Sequence, residues 1–385
     1  MSNDGPAPLT KDDESAISTE HQVMNSLSSN GDPTPVAITR ADGPPEELGT
    51  ASLDSEETAS TEQSLSPVTG TATCGFMTEK IENKGEDCLP FEFVWEKESG
   101  KRTVLAVFDG MGGAGSRKVP DLDDPSLERS MAYLASRSAR NALELACSQV
   151  TSKMTPREIM GVFEEQIKKF LQKLVDREGG IPAGDRMRGK MVKDYPTTVA
   201  IALIDEEDDR RRVHLMWAGD SRIYALSPDV DLLLQQLTLD HTGSGASSDG
   251  GDAALTKCAT PDSAELEYMD IDVPLNTIIF AATDGCFAYE STQFLLTTLV
   301  EQLERSTNES QYADNLAKAL SDVAGDDCSM AMSFSPSRDF SQSRIEFRKF
   351  LRLLQDIRLV PKNNPFISLN SGDFFLKMIR DKRGV

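Results

Sequence analysis

The chain has 385 residues, 38% of them hydrophobic and 27% charged, with a formal net charge of −23. So large an acidic excess argues against general affinity for nucleic acid, and no apolar run approaches the roughly 18 residues that cross a bilayer. The opening MSNDGPAPLTKDDES carries neither the basic nor the apolar segment of a secretory leader, and six cysteines without a CxxC pair speak against structural zinc or a disulfide framework. The expectation is a cytoplasmic protein with reduced, buried thiols and no membrane association.

Residues 1–70 are rich in Ser, Thr, Pro, Gly, Asp and Glu and almost free of aromatics. Such a segment cannot bury enough apolar surface to offset its ordering entropy, so it reads as a disordered acidic arm. Order is expected from Thr73. Phe91 to Trp95 alternates apolar and polar, and Arg102 to Phe108 is a compact apolar run; both read as strands. A helix is predicted over Ser126 to Val150, with Leu127, Met131, Leu134, Ala135, Ala142 and Leu145 on its apolar face. A second begins at Thr155-Pro156-Arg157-Glu158, a capping box with proline at the first helical position, and repeats Ile159, Phe163, Ile167, Phe170 and Leu174.

Strands return at Thr197 to Ile204, Arg212 to Ala218 and Ile223 to Leu226, with an acidic turn at Glu206 to Asp209. Residues 243–263 are Gly-, Ser- and Asp-rich and read as a mobile loop. Thr277 to Thr283 and Ser329 to Phe334 are predicted strands, with helices over Ser291 to Leu303 and Tyr312 to Val323 between them. This order does not alternate as a parallel βαβ protein would, so sheets covered by outer helices are expected. The balance turns basic after Ser335. There Ser343-Arg344-Ile345-Glu346 is expected to cap a helix carrying Phe347, Phe350, Leu351, Leu354 and Ile357, docked on the core. The domain reading is an arm over 1–70, one domain over 71–335 and a basic helical extension over 336–385.

The sharpest chemical signal is Asp109-Gly110-Met111-Gly112-Gly113 at the end of an apolar strand. An aspartate leaving a strand into a Gly-rich turn can extend its carboxylate into a cleft, while the glycines let a carbonyl approach a ligand. A hard cation wants such oxygens. Alone, the hexapeptide from Phe108 also fits an ordinary turn, but the device recurs. Gly219-Asp220, Asp284-Gly285, Gly325-Asp326-Asp327 and Gly85-Glu86-Asp87 all stand at strand edges. Were those edges to converge, the carboxylates would repel unless divalent ions sat among them.

The series DGMGG, PTTVA, WAGDSR, LTLDH, ATDG and GDDCS, from about Thr73 to Phe334, resembles the metal-dependent (type 2C, PPM-type) protein serine/threonine phosphatases in their bacterial style. The resemblance implies an α+β fold: a four-layer αββα sandwich of two antiparallel sheets flanked by helix pairs. It implies a hydrolase acting on phosphoserine and phosphothreonine in proteins, opposing a kinase in signalling, with two Mn2+ or Mg2+ ions and a third, weaker one. By that resemblance Asp109 bridges the two ions with the Gly110 carbonyl as a further ligand. Glu86 and Asp87 face one ion, Asp284 and Asp326 hold the other, and Asp220 serves the third. Asp326 is preferred to Asp327, which occupies an asparagine place in the family motif. Two metals roughly 3.5–4 Å apart lower the pKa of a shared water and orient it in line with phosphorus.

Two departures matter. Met111 stands where many members have histidine, as bacterial-style members commonly do. The family's phosphate-binding arginine has no counterpart: Glu82 holds its place, and Lys80, or failing that Lys84, is expected to substitute as a point charge without bidentate geometry. His241 and the Thr197-Thr198 pair are expected to be structural. The rival expectation is a pseudophosphatase that binds phosphoproteins through the same fold. An aspartyl-nucleophile phosphatase would need Asp-x-Asp after a strand, and no such motif appears.

Overall fold

A computed structural model describes residues 73–348 apart from 98–99, 179–191, 229–232, 244–254, 264 and 336–339. Twelve strands are named: β1 (Thr73–Thr78), β2 (Phe91–Lys97), β3 (Gly100–Val107), β4 (Lys118–Pro120), β5 (Glu128–Ser130), β6 (Val199–Glu206), β7 (Arg210–Ala218), β8 (Arg222–Leu226), β9 (Leu234–Gln236), β10 (Glu267–Pro274), β11 (Ile278–Ala282) and β12 (Cys328–Ser333). The helices are α1 (Met131–Ser148), α2 (Pro156–Glu178), α3 (Thr292–Arg305) and α4 (Glu309–Ser321), with a further helical stretch, α5, over residues 340–348.

Two five-stranded antiparallel sheets carry the fold, in the orders β10-β7-β6-β3-β2 and β1-β12-β11-β8-β9. Alternation along each strand sends one set of side chains inward. Leu105, Val107, Ala200, Ala202, Ile204, Leu215 and Trp217 of the first sheet meet Ile223, Ala225, Ile279, Ala281 and Ala331 of the second. The opposite faces are apolar too and each takes a helix pair. Trp95, Val104, Ala106, Ile201 and Leu203 pack under α1 and α2, while Phe76, Tyr224, Phe280, Met330 and Met332 pack under α3 and α4. The four-layer α+β sandwich is therefore the observed architecture. At one end of it Arg211 of β7, fully buried, donates to the carbonyls of Thr277 at 2.6 Å and Ser333 at 3.0 Å, joining the sheets.

Most elements fall where the periodicity put them. The α2 capping box forms, with the Thr155 amide donating to Glu158 at 2.7 Å. The first helix begins later than expected, at Met131, because Glu128 to Ser130 pair with Lys118 to Pro120 and Ser130 caps the helix by accepting from the Tyr133 amide. Its buried face runs through Met131, Leu134, Ala135, Ala139, Ala142 and Ala146; Leu127 and Leu145, expected on that face, are exposed. Strands β1, β9 and β10 carry no strong apolar alternation, and the sequence reading passed over them. The C-terminal helical stretch starts before Ser343, so that serine lies inside it and does not cap it. Phe340 and Phe347 nonetheless pack into the α3/α4 cluster, as a docked helix would. The N-terminal arm, Phe350 to Ile357 and most of the 243–263 loop lie outside the described residues. No helix among those described is long and apolar enough to cross a membrane, and the six cysteines are free and buried.

Candidate metal centre

Strand direction decides where the acidic residues meet. In the first sheet Val107, at the end of β3, pairs with Ala200 near the start of β6, and Val199 pairs with Ala218 at the end of β7. Asp109, Thr198 and Asp220 thus leave the same edge, and Asp87 precedes β2, whose Phe91 pairs with Ala106. In the second sheet Ala282, ending β11, pairs with Arg222 and Met330, while Thr78, ending β1, pairs with Cys328. Lys80, Asp284 and Asp326 leave that edge. The two edges are one end of the sandwich: the β7–β8 connection spans only Gly219 to Ser221, and Thr283 donates its hydroxyl to Asp87 at 2.8 Å. The tight β7–β8 crossing places Gly219 at φ +108°, a conformation that favours glycine.

The Asp109 backbone and the Glu86 and Asp327 side chains are held by backbone and hydroxyl contacts. The Asp109 amide donates to Thr198 Oγ1 at 3.1 Å, and its carbonyl accepts from the Thr197 hydroxyl at 2.8 Å and the Thr198 amide at 2.7 Å. Thr198 in turn shares a 2.6 Å hydrogen bond with Ser221. Glu86 accepts from the Ser130 hydroxyl at 2.5 Å, and its carbonyl accepts from the Gly110 amide at 3.2 Å and from Ser136 at 2.6 Å. A Cβ on Gly112 would lie 1.7 Å from the Glu86 carboxylate, so the Gly-rich turn is packed directly against that group. Asp327 is buried and accepts from the Glu86 amide at 2.7 Å and the Lys80 amide at 2.8 Å. It clamps the β1–β2 connection, whereas Asp326 beside it is exposed.

The electrostatics are those of a crowd of like charges. Burial and then the charges of Asp87, Asp284, Asp220 and Asp326 all push the Asp109 carboxyl well above its usual range. Burial raises Asp87 to about 8, opposed by the Thr283 hydroxyl and reinforced by Asp327 and Asp284. Glu86 is raised by burial too, against the Ser130 hydrogen bond and the charge of Lys118. Among the described residues no three His, Cys, Asp or Glu side chains are arranged to hold an ion as they stand. The carboxylates face one another across the edge without closing into a cage. Their chemistry still fits hard divalent cations: all are oxygen donors, Asp87 is buried, and burial together with neighbouring like charge holds protons on Asp87 and Asp109.

The remaining sequence expectations divide. Lys80 reaches the same end of the sandwich, but its ammonium donates to the Ala324 carbonyl at 2.6 Å. Lys84 is exposed on the β1–β2 connection. His241 is structural: its Nδ1 accepts from the Gly219 amide at 3.0 Å and its Nε2 stands 2.7 Å from Glu267. Ser130, Thr283 and Lys118 were not singled out from sequence. Nothing in local pattern marks them, because each reaches the site from a different turn and only the strand register brings them in. Gly285 shows how tightly the turn after β11 is packed: a Cβ there would lie 1.8 Å from the Asp327 carbonyl. Gly285→Ala should therefore cost about 1–3 kcal/mol, as overpacking does, read as a lower urea midpoint with unchanged slope.

The family model described as protein phosphatase 2C matches residues 88–321. The chain belongs to the protein phosphatase 2C family. Among solved structures, a bacterial serine phosphatase is 15% identical, with a TM-score of 0.48, over 69% of this chain and 98% of its own. The serine/threonine phosphatase Stp1 from Staphylococcus aureus is also 15% identical, with a TM-score of 0.47, over 69% and 95%. The Mycobacterium tuberculosis serine/threonine phosphatase PstP/Ppp is 16% identical, with a TM-score of 0.45, over 68% and 96%. No curated protein matches the chain. Membership of the protein phosphatase 2C family rests on the sequence match and not on these distant likenesses.

Proposed function

We propose that this protein phosphatase 2C member hydrolyses phosphoserine and phosphothreonine in proteins with the help of divalent cations, opposing a kinase. The observation that carries the reading is the convergence of Asp87, Asp109, Asp220, Asp284 and Asp326 on one sandwich edge, where burial and then the charges of the other four raise the Asp109 carboxyl. Asp109 and the Gly110 carbonyl would sit between two ions, Glu86 and Asp87 would face one, and Asp284 and Asp326 the other. Asp220 would serve a weaker third. Bound Mn2+ or Mg2+ would supply the positive charge that lowers the pKa of a water and neutralises phosphoryl oxygens. The chain's own part is to hold these carboxylates on a rigid frame. Thr197 and Thr198 fix the Asp109 backbone, Thr283 fixes Asp87, and Ser130 fixes Glu86.

The catalytic domain in this reading spans 71–335 with the following helix docked on it. Six buried free thiols suit a reducing, cytoplasmic setting. The test is phosphate release from a phosphothreonine peptide with Mn2+, with Mg2+ and with EDTA. Metal-dependent turnover that EDTA abolishes supports the proposal. A folded protein without turnover supports the second reading, a phosphoprotein-binding pseudophosphatase.

That second reading draws on Lys80, whose ammonium is engaged by the Ala324 carbonyl. If Lys80 exchanges that contact for the substrate phosphate, Lys80→Ala raises KM for a phosphopeptide several-fold and leaves kcat nearly unchanged. Steady-state kinetics decide it. Unchanged KM with a lower melting temperature would reduce Lys80 to a tether.

A further inference from the structure

A cleft of about 280 Å³ lies between residues 192–194 and 256–263, one chain segment away from the carboxylate edge. Backbone pairing fixes that separation. Gly110 bridges to Thr197, and Thr197 bridges to Ala259, with which it exchanges hydrogen bonds of 3.0 and 2.9 Å. The Lys193 amide donates to the Ala114 carbonyl at 3.1 Å, and the Met111 amide to the Pro196 carbonyl at 3.2 Å. Two strand-like spacings, roughly 10 Å in all, therefore separate Gly110 from Ala259. The chain neighbours of Ala259, Cys258 and Thr260, line the cleft.

The cleft holds a cation with a poor partner. The part-buried Lys193 ammonium donates to the Cys258 sulfur at 3.2 Å, and no carboxylate among the described residues pairs with it. A neutral thiol is a weak acceptor for a group with three donors, and burial holds the Cys258 proton on against the pull of Lys193. Lys257, the other cation on the lining, already stands 3.5 Å from Glu267. Thr260 Oγ1 accepts from the Ser263 amide at 3.0 Å, which leaves its own proton to donate. Asp194 and Asp262 also line the cleft, each with partners of its own.

We infer that this cleft is a substrate subsite, in which Lys193 and Thr260 take the carboxylate of an aspartate or glutamate near the phosphorylated residue of a protein substrate. The inference deepens the proposed phosphatase reading and rests on it for the identity of the ligand. A carboxylate supplies the charged acceptor that the thiol does not, and a charge-assisted bond of this kind is roughly twice as strong as a neutral one. An extended peptide advances about 3.3 Å per residue, so a separation of roughly 10 Å places the acidic residue about three positions from the phosphorylated one. In this role Lys193 determines specificity and takes no part in the chemistry at phosphorus.

Three phosphothreonine peptides test the subsite on the full chain with Mn2+. One carries aspartate about three residues before the phosphothreonine, one carries it about three residues after, and one has asparagine at both places. Expected is a kcat/KM about fivefold higher for one aspartate peptide than for the asparagine peptide, the scale of a partly exposed ion pair. Lys193→Ala should bring that ratio to about one, Lys193→Arg should keep most of it, and Lys193→Glu should invert it. A merely structural Lys193 would lower every peptide alike and leave the ratio unchanged. No aspartate preference in the parent chain, or one that survives Lys193→Ala, overturns the subsite. If the parent releases no phosphate from any peptide, the phosphatase reading falls. Fluorescence anisotropy of the labelled peptides with Mn2+ then gives the same ratios as affinities, and these still decide the subsite.

Discussion

Asp109→Asn should lower metal-dependent phosphate release by about 1,000-fold or more, on the scale of losing a preorganised electrostatic group, while leaving the protein at least as stable. The two halves of that result have one cause. Asparagine keeps the shape and the backbone bonds of Asp109, whose amide and carbonyl are held by Thr198 and Thr197. What it removes is the charge. In the chain without cations that charge is a liability, since burial and four neighbouring carboxylates push its proton affinity well above the usual range. A neutral amide relieves the repulsion, so in EDTA at pH 8 the variant should melt at or above the parent temperature. With cations present the missing charge is the one the ions would share. Activity lost with stability kept is the pattern of a functional group held against its own preference. A variant within tenfold of the parent would remove Asp109 from the bridging role, and one that melts well below it would show a structural carboxylate.

The edge that carries Asp109 also shows how much of the molecule its sequence discloses. Short acidic turns at the ends of apolar runs are visible in a linear reading, because a strand that ends in Asp-Gly combines a period of two with a residue that breaks it. Hence Asp109, Asp220, Asp284 and Asp326 could be singled out together, and the order of strands and helices pointed to sheets with outer helices. The frame beneath those turns was not visible. Ser130 doubles as the α1 cap and the Glu86 partner, and its segment 128–130 read as helix because Leu127 fell in phase with the stripe behind it. Strand β1 was passed over because Thr73-Cys74-Gly75-Phe76 buries only its alternate positions and carries a glycine, which is pressed against the Met330 carbonyl. Lys80 could be noticed as the cation at the right place in the chain, but the carbonyl that holds its ammonium, Ala324, is 244 residues away. Local pattern reports which residues end an element, and register reports what they end against.

The same carboxylate crowding predicts an unusual response to pH. Asp87 holds its proton up to about pH 8 in the folded chain, against an ordinary value of 3.8, chiefly because it is buried. The unfolded chain gives that proton up near its ordinary value. Between those limits the folded state binds protons that the unfolded state has released, so stability is fully present at low pH and declines as pH rises toward 8. Asp109 and Glu86, both raised, act in the same direction. In EDTA the melting temperature should therefore fall between pH 5.5 and pH 8, opposite to the behaviour of a protein held by ordinary carboxylate ion pairs. Divalent cations should reverse it, since they compete with those protons and bind best where the protons leave most easily. At pH 8, Mn2+ at about 100 times its dissociation constant contributes about 2.7 kcal/mol, which for a domain of this size raises the melting temperature by about 5–10 °C. At pH 5.5 the rise should be smaller, because each ion bound must first displace protons from Asp87 and Asp109. Thermal melts at the two pH values, with EDTA and with Mn2+, measure all four corners. A melting temperature in EDTA that climbs with pH would mean that the carboxylates are not crowded in solution. A cation effect no larger at pH 8 than at pH 5.5 would place the ions away from Asp87 and Asp109.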